Sequence, residues 1–184
     1  MGSPYLVPVA QLLRDVPATL DVEFDAPFDE RHEFEPRGPA ESDVAPEATV
    51  HVALNLQSFI GGLWARGQIE APWHGICRRC SMPVLGLVHV EVSERFVDER
   101  GPGDEETYLI DHDEMDLAPL IHDAVFLELP LAPLCREDCQ GLCPYCGIDR
   151  NDASCTCEVP TDPRWATLDG LRFANDDVDE SNDV

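Results

Sequence analysis

The sequence predicts an α+β fold: a mostly antiparallel β-sheet with one main helix, followed by a cysteine-knuckle segment. Three observations predict it. Residues 50–57 and 63–70 alternate apolar and polar side chains on either side of Gly61-Gly62, the pattern of a half-buried β-hairpin. Behind Asp116, Leu117, Leu120, Ile121, Ala124, Val125 and Leu127 recur at helical spacing. Six of the eight cysteines lie between Cys135 and Cys157, in a stretch too poor in apolar residues to form its own core.

The elements follow in chain order. Residues 8–14 suit one or two helical turns, and residues 19–24 alternate as a strand. Residues 25–47 are acidic and proline-rich, and read as a loop. In the hairpin, Val50, Val52, Leu54 and Leu56 face one side of the first strand. Leu63, Ala65, Gly67 and Ile69 face that side from the second. Residues 71–77 lead to a first cysteine pair. Val84, Val88, Val90 and Val92 mark a third strand running to Phe96, residues 98–106 a solvated loop, and Tyr108–Ile110 a short strand. Asp116 is the expected N-cap of the helix, which stops before Pro130 because a residue preceding proline avoids the helical region. A last short helix is expected over 163–171 with Trp165 as anchor. Residues 1–172 form one domain in this reading, and 173–184 an acidic, disordered tail.

Composition bounds the function. The 184 residues carry 37 acidic and 12 basic side chains, a formal charge of −25, and every basic residue is arginine. Such a charge opposes a phosphate backbone, so RNA contact needs a local basic patch, whereas a basic protein is an easier partner. No apolar run approaches the ~18 residues of a membrane helix. Met1–Ala10 has no basic residue before its apolar stretch, which argues against a secretory signal. The expected location is cytoplasmic.

In a reducing compartment clustered thiols point to metal rather than disulfides. Cys77/Cys80 and Cys143/Cys146 are C-x-x-C pairs, Cys135/Cys139 are separated by three residues, and Cys155/Cys157 form C-x-C. These four pairs suffice for two sites of four thiolates, the donor set of structural zinc, so two Zn²⁺ ions are expected. Gly147 permits the positive φ that such a knuckle needs. A redox pair is disfavoured because Cys77 leads into Met82-Pro83 and another strand, not a helix. Spacing leaves two partitions open. Either Cys77 and Cys80 join Cys135 and Cys139, leaving Cys143, Cys146, Cys155 and Cys157 together, or Cys135, Cys139, Cys143 and Cys146 form a local site. Cys143–Gly147 also looks like half of an iron-binding rubredoxin knuckle, which would make an electron carrier. That site needs two such knuckles around one iron.

The stretch from Gly67 to Leu171 resembles the YceD family of large ribosomal RNA subunit accumulation proteins. The resemblance rests on Cys77-Arg78-Arg79-Cys80 with Pro83, Glu94-Arg95-Phe96, Ile110-Asp111, Asp116–Ile121, Leu127–Pro130 and Pro133-Leu134-Cys135. It continues through Asp138–Gly147, Asn151, Cys155-Thr156-Cys157 and Asp162–Trp165 to Leu168. Arg150 replaces the leucine usual before the asparagine. The resemblance implies a role in synthesis, processing or accumulation of large-subunit ribosomal RNA. Shorter members keep the first C-x-x-C and a Cys/His pair at the position of Cys135 and Cys139 without the remaining cluster, which implies the first partition.

No catalytic constellation stands out among the residues, and an all-cysteine zinc site has no open coordination position, so the chain is read as non-catalytic, with no small-molecule substrate. His74 precedes Cys77 by three residues and is weighed as a substitute ligand; His122 reads as a satisfied side chain of the helix. Residues 61–90 carry Arg66, Arg78 and Arg79 against one acid, Glu70, beside Trp64 and Trp73. They are the candidate contact for a large-subunit RNA precursor or a ribosomal protein, against the plainer reading of core tryptophans and solubilising arginines. An acidic chaperone for a basic ribosomal protein is the competing function.

Overall fold

In the computed structural model, residues 3–28, 42–102, 107–157 and 164 are described. The expected tail, Trp165 and all but Arg164 of the expected 163–171 helix lie outside them. The elements are β1 (Leu6–Pro8), α1 (Ala10–Arg14), β2 (Thr19–Pro27), β3 (Thr49–Phe59), β4 (Gly62–Ile76), β5 (Pro83–Val97), β6 (Tyr108–Asp111), β7 (Glu114–Asp116) and α2 (Ala118–Glu128). The strands form one sheet in the order β1-β7-β6-β5-β4-β3-β2.

Every pairing is antiparallel except β5 with β6, which run parallel at Phe96↔Tyr108 and Val97↔Leu109. The sheet is therefore mixed, a correction to the antiparallel expectation confined to this junction. The sheet also curls. β1 and β2 stand at opposite ends of the strand order, yet the Tyr5 hydroxyl beside β1 donates to the Pro27 carbonyl at the end of β2. The Tyr5 ring meets Phe24 edge-on at 5.7 Å.

The concave face is the core. Val50, Val52, Leu54 and Leu56 of β3 lie against Leu63, Ala65 and Ile69 of β4 and Val88, Val92 and Phe96 of β5. Helix α2 closes this face with Leu120, Ile121 and Val125. Each fully buried Leu, Ile or Val contributes about 1.5–3 kcal/mol. Helix α2 starts one residue later than a cap at Asp116 implies. Leu117 is the N-cap residue, and the Asp116 carboxylate accepts the Ala118 N–H at 3.0 Å. Leu127, expected inward, is 87% exposed. His122 is buried, stacked on Phe28 at 5.4 Å. No described helix is long and apolar enough to cross a membrane.

One feature of the sheet positions the cysteines. β3 accompanies β4 only as far as His51↔Glu70, while β4 and β5 stay paired to Ile76↔Pro83. Beyond β3 the two strands continue as a ribbon with the first C-x-x-C at its tip. Residues 71–76, expected as a lead-in, are strand. Asp43 braces the ribbon through two backbone hydrogen bonds of 2.8 Å with His74.

Candidate metal centres

The two C-x-x-C turns are the same device built twice. In the first, the Cys77 N–H donates to the Met82 carbonyl and the Ser81 N–H to the Cys77 carbonyl, both at 2.8 Å. In the second, the Cys143 N–H donates to the Ile148 carbonyl at 2.8 Å and the Gly147 N–H to the Cys143 carbonyl at 2.9 Å. Each turn needs a left-handed residue directly after its second cysteine: Ser81 at φ 61° and Gly147 at φ 72°. Glycine adopts this without the Cβ clash that penalises serine.

The fold brings all eight cysteine sulfurs into two groups. Cys77 and Cys80 at the ribbon tip meet Cys135 and Cys139 of the segment after α2. Cys143 and Cys146 meet Cys155 and Cys157. Within each group the sulfurs lie within 4.8 Å of one another. This is the long-range partition, and the local Cys135–Cys146 set is not formed. Cys77 and Cys139 sulfurs are 3.8 Å apart, Cys80 and Cys135 sulfurs 3.5 Å. A tetrahedral ion with Zn–S bonds of ~2.3 Å sets its ligands about 3.8 Å apart. Donor chemistry and spacing thus both fit one four-thiolate ion in each group, and the residues that would hold the two ions are these eight. In the first group Cys77, Cys80 and Cys139 are buried against Val84 and Leu134; in the second only Cys143 is buried.

The polar surroundings favour thiolates unequally. Burial pushes the Cys77 thiol up, but N–H groups of Cys135, Cys80 and Arg79 outweigh it and hold the thiol at about 6. The N–H groups of Cys146 and Tyr145 hold Cys143 at about 6 as well. The first cysteine of each knuckle is therefore the readiest anion. Cys135 and Cys157 are pushed up to about 12, mainly by hydrogen bonding to Cys80 and Cys146 respectively. The remaining thiols would release their protons to solvent as a cation binds.

Backbone contacts lock the segment onto the ribbon. The Arg78 N–H donates to the Pro133 carbonyl and the Leu142 N–H to the Arg79 carbonyl, both at 3.0 Å. The Arg79 guanidinium donates to the Cys139 carbonyl at 2.9 Å and the Glu137 carbonyl at 3.4 Å. Arg79 thus bridges the two halves of the first centre. The Ser42 hydroxyl donates to the Pro130 carbonyl at 2.6 Å.

Asn151 is a site residue that reasoning from cysteine spacing gave no role. Its amide donates to the Cys139 sulfur at 3.4 Å and to the Asp149 carboxylate at 2.7 Å. Its carbonyl accepts from Arg136 and from the Gln140 N–H, each at 2.8 Å. The Asn151 amide is also the foremost influence lowering the Cys139 pKa. One side chain thereby joins a first-centre sulfur to the loop of the second centre. The visible signal was a turn-forming Asp-x-Asn placed between cysteine pairs. Asn151→Ala should weaken metal binding at the first centre about tenfold, as loss of a ligand's hydrogen-bond partner commonly does. Competition with a chromophoric chelator measures it.

The candidate arginines do not share one place. Arg66 lies on β4 opposite Ser93, whereas Arg78 and Arg79 lie beyond its far end. The ten residues from Arg66 to Ile76 span about 33 Å of strand, so the three do not make one patch. Trp64 and Trp73 are both half-buried. His74 is exposed and belongs to neither sulfur group.

Comparison with known proteins adds a family signal. The profile described as large ribosomal RNA subunit accumulation protein YceD matches residues 65–172. An uncharacterized protein of Mycobacterium tuberculosis is 39% identical over 127 residues, 66% of this chain and 61% of that protein. One of Mycobacterium leprae is 32% identical over 131 residues, 66% of this chain and 58% of that protein. The chain thus spans about three-fifths of the length of these curated relatives. A Zea mays protein named large ribosomal RNA subunit accumulation protein YCED homolog 1, chloroplastic, is 41% identical over 46 residues, 24% of this chain and 16% of that protein. No solved structure matches.

Proposed function

Since this chain belongs to the YceD family, we propose that it is a non-catalytic, zinc-stabilised cytoplasmic factor supporting synthesis, processing or accumulation of large-subunit ribosomal RNA. The observation that carries the zinc reading is the pair of four-sulfur groups at tetrahedral spacing. Four thiolates close the coordination sphere, so each ion holds structure and offers no position to a substrate. Unpaired thiols clustered this way suit a reducing compartment. Iron of the rubredoxin kind is disfavoured because each knuckle pairs with a non-knuckle pair of cysteines, so neither centre is built from two knuckles.

A second reading is favoured by the charge of −25: the acidic surface shields a basic ribosomal protein until assembly, and that contact weakens with salt. One experiment separates the readings. Cells that depend on this chain should lose large-subunit ribosomal RNA relative to small-subunit RNA on its depletion, and regain it with the wild-type chain. Unchanged RNA ratios would overturn the proposal. Capture of a lone basic protein at low salt, with no RNA, would support the second reading.

A further inference from the structure

The convex face of the sheet is sorted by charge along its strands. Nearest the Gly61-Gly62 turn, Thr19, Gln57, Trp64 and Arg95 stand in register across β2, β3, β4 and β5. The next row is Asp21, Asn55, Arg66 and Ser93, and its one acid is held by the Asn55 amide at 2.7 Å. The row beyond brings Glu23 and Glu91, and the next pairs Asp25 with His51 and Glu70 with His89. In a chain with 37 acids and 12 bases, the first two rows form a basic, aromatic island.

Its side chains are already stacked. The Arg66 guanidinium lies 4.6 Å from the Trp64 ring centre. Arg95 lies 5.8 Å from the same ring and 5.4 Å from that of Phe59. The two rings are 6.4 Å apart. Arg66 is exposed, donates to the Ser93 hydroxyl at 3.3 Å and makes no ion pair among the described residues.

We infer that this island, formed by Phe59, Trp64, Arg66 and Arg95, is a binding platform for single-stranded RNA. The inference rests on the ribosomal RNA reading above and gives it a surface. Unpaired bases stack on rings and guanidinium planes, and the same guanidiniums face phosphates. Cation–π contact holds both arginines before RNA arrives, so little side-chain freedom is lost on binding. The Glu23 and Glu91 row repels a backbone that runs further down the sheet, which limits the footprint to a few nucleotides. A basic protein partner would meet two arginines here, so the charge of the island favours RNA over it.

The test uses the full, zinc-loaded chain and a fluorescein-labelled twelve-nucleotide oligouridylate in low salt, read by anisotropy. Trp64→Leu, Arg66→Gln and Arg95→Gln should each weaken binding about tenfold. Arg14→Gln, an exposed arginine of α1 off the island, should stay within about twofold, and a duplex of equal length should compete poorly. Circular dichroism and zinc content check folding; should Trp64→Leu unfold, the two arginine variants carry the test. No binding by the wild-type chain, equal loss with Arg14→Gln, or equal competition by duplex would overturn the platform. So would association with large-subunit precursors that depends on Arg66 and Arg95 but survives ribonuclease, which would make the occupant a protein. A wild-type chain that restores large-subunit RNA in depleted cells yet binds no oligonucleotide sinks the platform alone. Failure to restore that RNA sinks the functional reading, whatever the oligonucleotide does.

Discussion

Cys77→Ser should release one of the two zinc ions proposed for the chain and free the segment from Pro133 to Cys157 from the ribbon, while the sheet and α2 persist. Cys77 is 1% exposed, and its sulfur faces Cys139 across the junction of two chain segments sixty-two residues apart. Serine offers a hard, protonated oxygen where a soft thiolate is required. Structural zinc supplies ~10–16 kcal/mol of apparent binding energy in small zinc modules. Loss of the first ion therefore outweighs the four nearby hydrogen bonds, each worth about 1 kcal/mol. Limited proteolysis should cut the variant after α2 while native mass spectrometry shows one ion. Cys157→Ser, exposed and near the end of the second group, should also lose one ion but keep Pro133–Cys139 protected. A Cys77→Ser protein with a protected segment would mean that the hydrogen bonds, not the ion, dock it.

Gly67→Ala should destabilise the sheet by about 3 kcal/mol or more. A Cβ at Gly67 would lie 2.1 Å from the Ala53 carbonyl oxygen and 2.9 Å from the Leu54 Cα. Both are backbone atoms of the paired strand and cannot swing aside. The residue also sits at φ +155°, which side chains rarely adopt. Gly61→Ala supplies the contrast: its φ is +89°, but nothing lies within 4 Å of the added carbon. It should lose only about 1 kcal/mol, from backbone strain alone. Urea denaturation of the zinc-loaded proteins gives both values, and equal losses would mean that the approach of β3 to β4 at Gly67 is not tight.

Gly67 also shows how far the sequence could be read. Its place on the inward face followed from alternation with Leu63, Ala65 and Ile69; the closeness of β3 did not, because periodicity reports a face and not a separation. The hairpin was legible because one buried face imposes period two on Val50–Leu56 and Leu63–Ile69. β1 and β7, three residues each, are too short to show a period. Pro72 and Gly75 disguised the outer part of β4. Proline is tolerated there because β3 no longer runs alongside. The parallel contact of β5 with β6 involves two register pairs, too few to leave a period in the sequence.

The candidate site divides in the same way. Eight cysteines in four pairs announced two centres, but their combination depends on where α2 delivers Cys135, a tertiary fact. The arginines of 61–90 looked like one basic stretch because sequence distance hides the length of an extended strand. Arg95 joined Trp64 only through the β4–β5 register. Asn151 gained its role from a fold that sets it between Cys139 and Asp149.

Zinc-edge X-ray absorption on protein purified under reducing conditions, with the metal counted by native mass spectrometry, tests the core of this account. Two ions per chain, each with four sulfurs at about 2.3 Å and no visible colour, is the result the zinc proposal predicts. A chain carrying no ion, a single ion, or one with oxygen or nitrogen ligands would contradict it.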